Sequence, residues 1–274
     1  KEEHTPSRRE SFDVSGTVLY AAALFSVMYG VSLLPAASAA SLILAGLVCF
    51  GLFIRLQLKK PFPLLNIHLF AGNRIFALSN LAALIHYCAT FAVTFVLSLY
   101  LQHIKLMTPT QTGVVLIVEP LIQALFSPLA GRLSDRYEPR IISSAGMALT
   151  VAGLCGMIFL TGITPIYYIV LCLGLLGLGF ALFSSPNVNA VMSSVESKFY
   201  GIASATLATM RLVGQSLSMG IAMLVFAVLI GNRSITAENS DSLILSAKLI
   251  FGILAVTCVF GVLASLGRGR VHRR

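Results

Sequence analysis

The sequence predicts an all-α integral membrane protein with eight transmembrane helices, and three observations carry that prediction. The 274 residues are 57% apolar and only 11% charged. The apolar residues fall in runs of roughly 20, the length that crosses a ~30 Å hydrocarbon layer at ~1.5 Å rise per residue. The charges that remain gather between the runs. In order, the spans read as 14–34, 39–56, 75–101, 110–130, 141–160, 166–183, 202–230 and 243–266. They lack the polar face of a soluble helix. Backbone groups in lipid find partners only within their own segment, so each span is expected to be helical; the short alternating strands of a barrel are absent.

Charge orders these spans across the bilayer. With the N-terminus inside, fifteen of the nineteen lysines and arginines fall on cytoplasmic segments: Lys1, Arg8, Arg9, Arg55, Lys59, Lys60, Arg74, Arg132, Arg136, Arg140, Lys198, Arg268, Arg270, Arg273 and Arg274. Only Lys105 and Arg233 fall outside, and Arg211 and Lys248 lie within helices. This positive-inside bias predicts a multi-pass protein of the cell membrane with both termini cytoplasmic. A basic tail near anionic headgroups accounts for the net charge of +9, so no nucleic-acid partner is called for.

Five divisions follow: a cytoplasmic segment (1–13), two helices (14–56), a basic cytoplasmic linker (57–74), a six-helix bundle (75–266) and a basic tail (267–274). The first two spans are joined by a short turn at 35–38, and the LLNIHLF stretch of the linker suits the membrane interface. The opening KEEHTPSRRE has neither an initiator methionine nor a signal peptide and reads as an internal loop of a longer protein. Cys49, Cys88, Cys155, Cys172 and Cys258 all lie in apolar spans without metal-like spacing, so no metal is expected. Asn232-Arg233-Ser234 is a formal glycosylation sequon.

Polar residues within the spans are the candidates for chemistry. Glu119 sits in the middle of VVLIVEPLIQALF, where an ionised side chain costs roughly 2.5 kcal/mol or more. Such a carboxyl stays protonated until a cation or a route to water reaches it. Gln123 lies one turn on and Thr112 two turns back, and Pro120 is expected to kink the helix beside the carboxyl group. Arg211 lies at a matching depth in its own span, on a small polar face running Gly201, Ser204, Ala208, Arg211, Gln215, Ser218, Ala222. It either ties helices together or serves substrate. A further stripe, Tyr87, Thr90, Thr94 and Ser98, marks the span from residue 75, with His86 beside it. No nucleotide-binding loop is visible, and no nucleophile–base pair or metal motif supports an intramembrane enzyme.

Several motifs occur in an order that points to one family. They are Phe12-Asp13-Val14-Ser15-Gly16; Pro63 to Phe70 with Arg74 and Phe76; and Gln102, Thr108, Pro109, Gln111 and Gly113. After these come the charged GRLSDRYEPR stretch from Gly131 to Arg140; Gly177, Gly179 and Pro186; and Gly201, Ala203, Ser204, Arg211 and Gly214. In this order they resemble the carboxy-terminal portion of the fourteen-helix drug–proton antiporter branch of the major facilitator superfamily. The chain departs from the family pattern where Leu106, Glu138 and Gln215 replace glycines and Pro139 replaces a basic residue.

The resemblance implies two linker helices followed by a six-helix half-bundle. The partner half, a six-helix unit in the same chain or in a dimer partner, carries the antiporter motif and much of the proton coupling. It implies a secondary multidrug exporter working by alternating access, driven by the proton gradient, without a cofactor, on lipophilic or cationic small molecules. Glu119, Gln123, Arg211, Gln215, Tyr87 and Thr94 would line the substrate and proton pathway. Gly131, Arg132, Asp135, Arg136 and Arg140 would form a gating loop, with Asp135 at the start of the following helix or against a neighbouring helix N-terminus. A dimerising or non-transporting half-carrier and a solute importer on the same fold remain as alternatives.

Overall fold

The computed structural model describes residues 13–34, 36–60, 70, 72–231 and 240–269. Among these, every regular element is helical, and eight helical stretches are long and apolar enough to cross a membrane. The sequon at 232–234, residues 64–69 of the LLNIHLF stretch, Phe12 and the tail residues Arg270, Arg273 and Arg274 lie outside the described residues. The chain packs into two compact units, Lys1–Gly72 and Asn73–Arg274.

The first unit is a helical hairpin of α1 (Val14–Ser32) and α2 (Ala37–Gln57). The Asp-x-x-Gly motif is its lock. Asp13 caps α1, accepting from the Gly16 amide at 2.7 Å. The same carboxylate accepts from the Gln57 side chain at the far end of α2 (2.7 Å) and pairs with Lys60. A Cβ on Gly16 would run into both the Asp13 carboxylate and the Gln57 amide, so the glycine clears the space in which this cluster closes.

The second unit is a bundle of α3 (Arg74–His103), α4 (Pro109–Leu116), α5 (Val118–Arg136), α6 (Pro139–Ile158), α7 (Ile166–Ser193), α8 (Tyr200–Leu229) and α9 (Ser240–Gly267). Asn73 caps α3, accepting from the Phe76 amide at 3.0 Å. The helix α3 is central, packing on α7, α8 and α9, while α7 packs on α5 and α6, and α9 on α6. Val96, Leu97, Leu154, Met157, Leu173, Phe251 and Leu254 fill the core and are wholly buried. Small residues set the crossings: a Cβ on Gly146 of α6 would lie 2.7 Å from the Gly179 carbonyl and the Phe183 amide of α7. Only glycine lets those backbones meet.

Two helices run further than the apolar pattern predicts. The helix α5 continues past residue 130 to Arg136, and α7 past residue 183 to Ser193. Their polar ends pay no burial cost because neighbours satisfy them: Asn189 donates to Ser134 at 3.2 Å, and Asn187 donates to the Ser79 carbonyl at 3.2 Å. The expected effect of Pro120 shows as an interruption at Ile117, between α4 and α5: the proline has no N–H to give the Leu116 carbonyl, while Ile117 keeps helical geometry and the bonds to Gly113 and from Leu121 persist at 3.0 Å each.

The turn between α3 and α4 explains another motif. Thr108 caps α4 with Gln111 in a reciprocal capping box, and Pro109 occupies the first helical turn. Within it Leu106 has φ +54°, in the left-handed region that favours glycine.

Candidate functional site

A cavity of about 670 Å³ opens between α3, α5, α7 and α8. The full stripe of α3, Tyr87, Thr90, Thr94 and Ser98, lines it, with Glu119 of α5 and Arg211 and Gln215 of α8. Phe91, Phe95 and Phe180 supply an aromatic wall. Five of the six pathway candidates from the sequence therefore share one chamber. Gln123 is not among its lining residues, and its carbonyl accepts from the Ser127 hydroxyl at 2.7 Å. Thr112, two turns back from Glu119, is buried on α4 and does not line the chamber either.

Backbone contacts hold the charged residues in place. The Glu119 carbonyl lies so close to Gly177 of α7 that any side chain there would strike it. On α8, Gly214 meets the backbone of α3 at Leu84 and Cys88, which brings Arg211 over Tyr87 with its guanidinium carbon 5.2 Å from the ring centroid. Ser218 accepts from the Ala92 amide of α3 at 2.9 Å, so the polar face of α8 divides: Ser218 and Ala222 are packed, Arg211 and Gln215 line the chamber. Glu119 and Arg211 share the chamber without an ion pair; among the described residues the pairs within 4.0 Å are Lys60–Asp13 and Lys198–Glu196.

A second cavity of about 280 Å³ adjoins Tyr87 and Arg211 on the side of Asn187, Ser184 and Ser204. Behind it His86 is fully buried, its ring 4.0 Å from that of Phe183, and neither ring nitrogen has a hydrogen-bond partner.

The charged stretch after the chamber differs from the expected loop. Gly131, Arg132, Asp135 and Arg136 belong to the last turns of α5, and only Tyr137 and Glu138 connect it to α6. Asp135 does not cap α6: the N-cap position is Glu138, which makes no side-chain capping bond. Arg132, Asp135 and Arg136 are exposed, and Arg140 lies in the first turn of α6. Gly131 faces Ser185, whose hydroxyl would lie 3.1 Å from an added Cβ.

One residue that the sequence hides is Arg268. Read as part of a basic tail, it is instead fully buried. Its guanidinium donates to Asn187 (2.8 Å) on α7, Ser143 (2.9 Å) on α6 and Ser79 (3.3 Å) on α3. Burial lowers its pKa to about 10, with the charge of Glu138 opposing that shift and Arg140 adding to it. Asn187 and Ser79, polar residues facing inward on two helices, were the available signal.

Residues 80–273 match the sequence profile of the Major Facilitator Superfamily, well over half of the chain. The chain therefore belongs to this superfamily of membrane transporters, which are not enzymes. It is 27% identical over 259 residues to the riboflavin transporter RibZ of Clostridioides difficile, covering 94% of this chain and 56% of the relative. It is 32% identical over 222 residues to the uncharacterized transporter YebQ of Escherichia coli, covering 80% and 46%. It is 26% identical over 225 residues to the multidrug resistance protein Stp of Mycobacterium tuberculosis, covering 80% and 42%. The chain spans about half the length of the curated relatives it matches.

Proposed function

We propose that this chain is the carboxy-terminal portion of a proton-coupled secondary exporter of the fourteen-helix drug–proton antiporter branch. It works by alternating access in the cell membrane, with both termini cytoplasmic. The observation that carries this reading is the 670 Å³ chamber, in which Glu119 is the one carboxyl group facing an aromatic and hydroxyl-lined wall. Inside a membrane span, a lone carboxyl is costly unless it is protonated or meets a cation. It can therefore hold either a proton or a ligand, and that exclusion is the basis of exchange. The apolar wall suits lipophilic or cationic small molecules, and the similarity to a multidrug resistance protein favours export.

The remaining wall of the pathway belongs to a six-helix partner half, in the same chain or in a dimer partner, against which this half rocks. The exposed Arg132, Asp135 and Arg136 at the end of α5 form its latch on the cytoplasmic side.

Glu119→Gln tests the reading. It removes the titrating group and keeps its shape, so proton-driven efflux of a lipophilic dye from energised vesicles is expected to fall by about tenfold or more. Efflux at the wild-type rate would remove Glu119 from the coupling.

A further inference from the structure

The smaller cavity beyond Tyr87 differs in chemistry from the chamber that contains Glu119. Of its lining residues, Arg211 alone is charged, and Ser184, Ser204 and Asn187 provide the polar wall. Asn187 is already committed: its amide oxygen accepts from Arg268 and its nitrogen donates to the Ser79 carbonyl. The remaining recognition groups are therefore the Arg211 guanidinium and the hydroxyls of Ser184, Ser204 and Tyr87. Tyr87 and Arg211 are the residues common to both cavities, and they form the partition between them.

Arg211 lies eleven residues into the 30-residue α8, roughly 17 Å from its start at ~1.5 Å per residue. At that depth no described carboxylate stands within 4.0 Å of it. A guanidinium there is costly until an anion neutralises it, and its planar fork matches a carboxylate in two parallel hydrogen bonds. The Tyr87 ring restrains the side chain, so little rotamer freedom is lost when a ligand binds.

We propose that the smaller cavity is an anion-accepting subsite. In it Arg211 takes the carboxylate of an aromatic ligand whose ring system lies in the larger chamber against Phe91, Phe95 and Phe180. Glu119 lines only the larger chamber, so Arg211 is the one charge lining the cavity that takes the carboxylate end. The proposal goes beyond the lipophilic or cationic compounds of the carrier reading by adding a substrate class, aromatic organic acids, and rests on the larger chamber being where ligand binds.

Equilibrium binding to the protein purified from its own membrane separates the two ideas, because it needs no transport. The probes are naphthylacetate, its neutral methyl ester, and a naphthylmethyl quaternary ammonium ion of similar size. The acid is expected to bind about tenfold more tightly than the ester. Arg211→Gln should erase that preference by weakening the acid far more than the ester, and Arg211→Lys should keep part of it. Equal binding of acid and ester by the wild type, or an equal loss for acid, ester and ammonium probes in Arg211→Gln, would each overturn the subsite. Charge-selective binding with no probe moved by a proton gradient would sink the exporter reading and leave the subsite standing. Proton-driven movement of all three probes with charge-blind binding would do the reverse.

Discussion

Leu106 occupies the one position in the α3–α4 turn where a side chain conflicts with the backbone. Its φ of +54° puts a branched residue in the left-handed region, and its side chain is 83% exposed, so it gains little from packing. Left-handed geometry costs an L-residue about 1–2 kcal/mol, while glycine gives back roughly 0.5–1 kcal/mol in unfolded-chain entropy. Leu106→Gly is therefore expected to stabilise the protein by up to about 1 kcal/mol, read as a higher Tm in detergent. A lower Tm would mean that the exposed side chain has a contact worth more than the strain.

Arg268 makes the opposite case. Its three side-chain donors tie α3, α6 and α7 to the end of α9, and its loss would leave Asn187, Ser79 and Ser143 with unmet hydrogen-bonding capacity. Arg268→Ala is expected to cost roughly 3 kcal/mol, with Arg268→Lys intermediate because an ammonium cannot span three partners in a fork. Unfolding in detergent measures both, and an alanine variant as stable as wild type would show that the cluster contributes no net stability. These two residues also mark the limit of reading by composition. A basic residue next to a basic tail looks solvated, and nothing local to Arg268 reveals that three helices converge on it. Tyr87, Thr94, Glu119, Arg211 and Gln215 were legible because polar side chains within apolar spans must face something other than lipid. Gln123 passed the same test, yet lines neither cavity.

At the scale of elements, the spans were legible wherever apolar length alone decided them, and their ends were not. The helices α5 and α7 extend through polar sequence because each polar group meets a partner from another helix, which periodicity cannot show. The α1–α2 hairpin is a clearer case: its motif reads from sequence as a family mark, and its physics is a buried carboxylate cluster. The Lys60 ammonium holds the Asp13 carboxyl well below the usual carboxylate range; burial works against this, and the Gly16 amide and the Gln57 and Ser15 side chains support it. The sign follows from the lowered folded-state pKa. The stability it contributes is full above the ordinary value of 3.8 and is lost as pH falls below that value. Hydrogen-exchange protection at the start of α1, taken relative to the intrinsic exchange rate at each pH, is therefore expected to fall as the pH drops through this range. Asp13→Asn should abolish that dependence and raise exchange at neutral pH. A pH-independent wild type would mean that the carboxylate does not stabilise the hairpin.

For the whole molecule, the arrangement across the bilayer follows from charge and parity. An even number of candidate spans, eight among the described residues, is expected to return the chain to the side on which it began, and the basic residues concentrate on one set of connections. The Tyr137–Glu138 link lies among Arg132, Arg136 and Arg140, so it belongs to the basic side. The turn after α6, at Thr161 to Pro165, has no basic residue and stands one span away, so it must lie on the other face. Both positions offer exposed reporters: Tyr137 is 61% and Ile163 92% accessible. The five native cysteines all lie inside helices and can be removed first. In intact cells, a membrane-impermeant maleimide is expected to label Ile163→Cys and to spare Tyr137→Cys until the membrane is permeabilised. The reverse pattern would invert the topology and place the charged end of α5 outside. It could not then be a cytoplasmic latch, and the direction assigned to proton entry and export would have to be turned round with it.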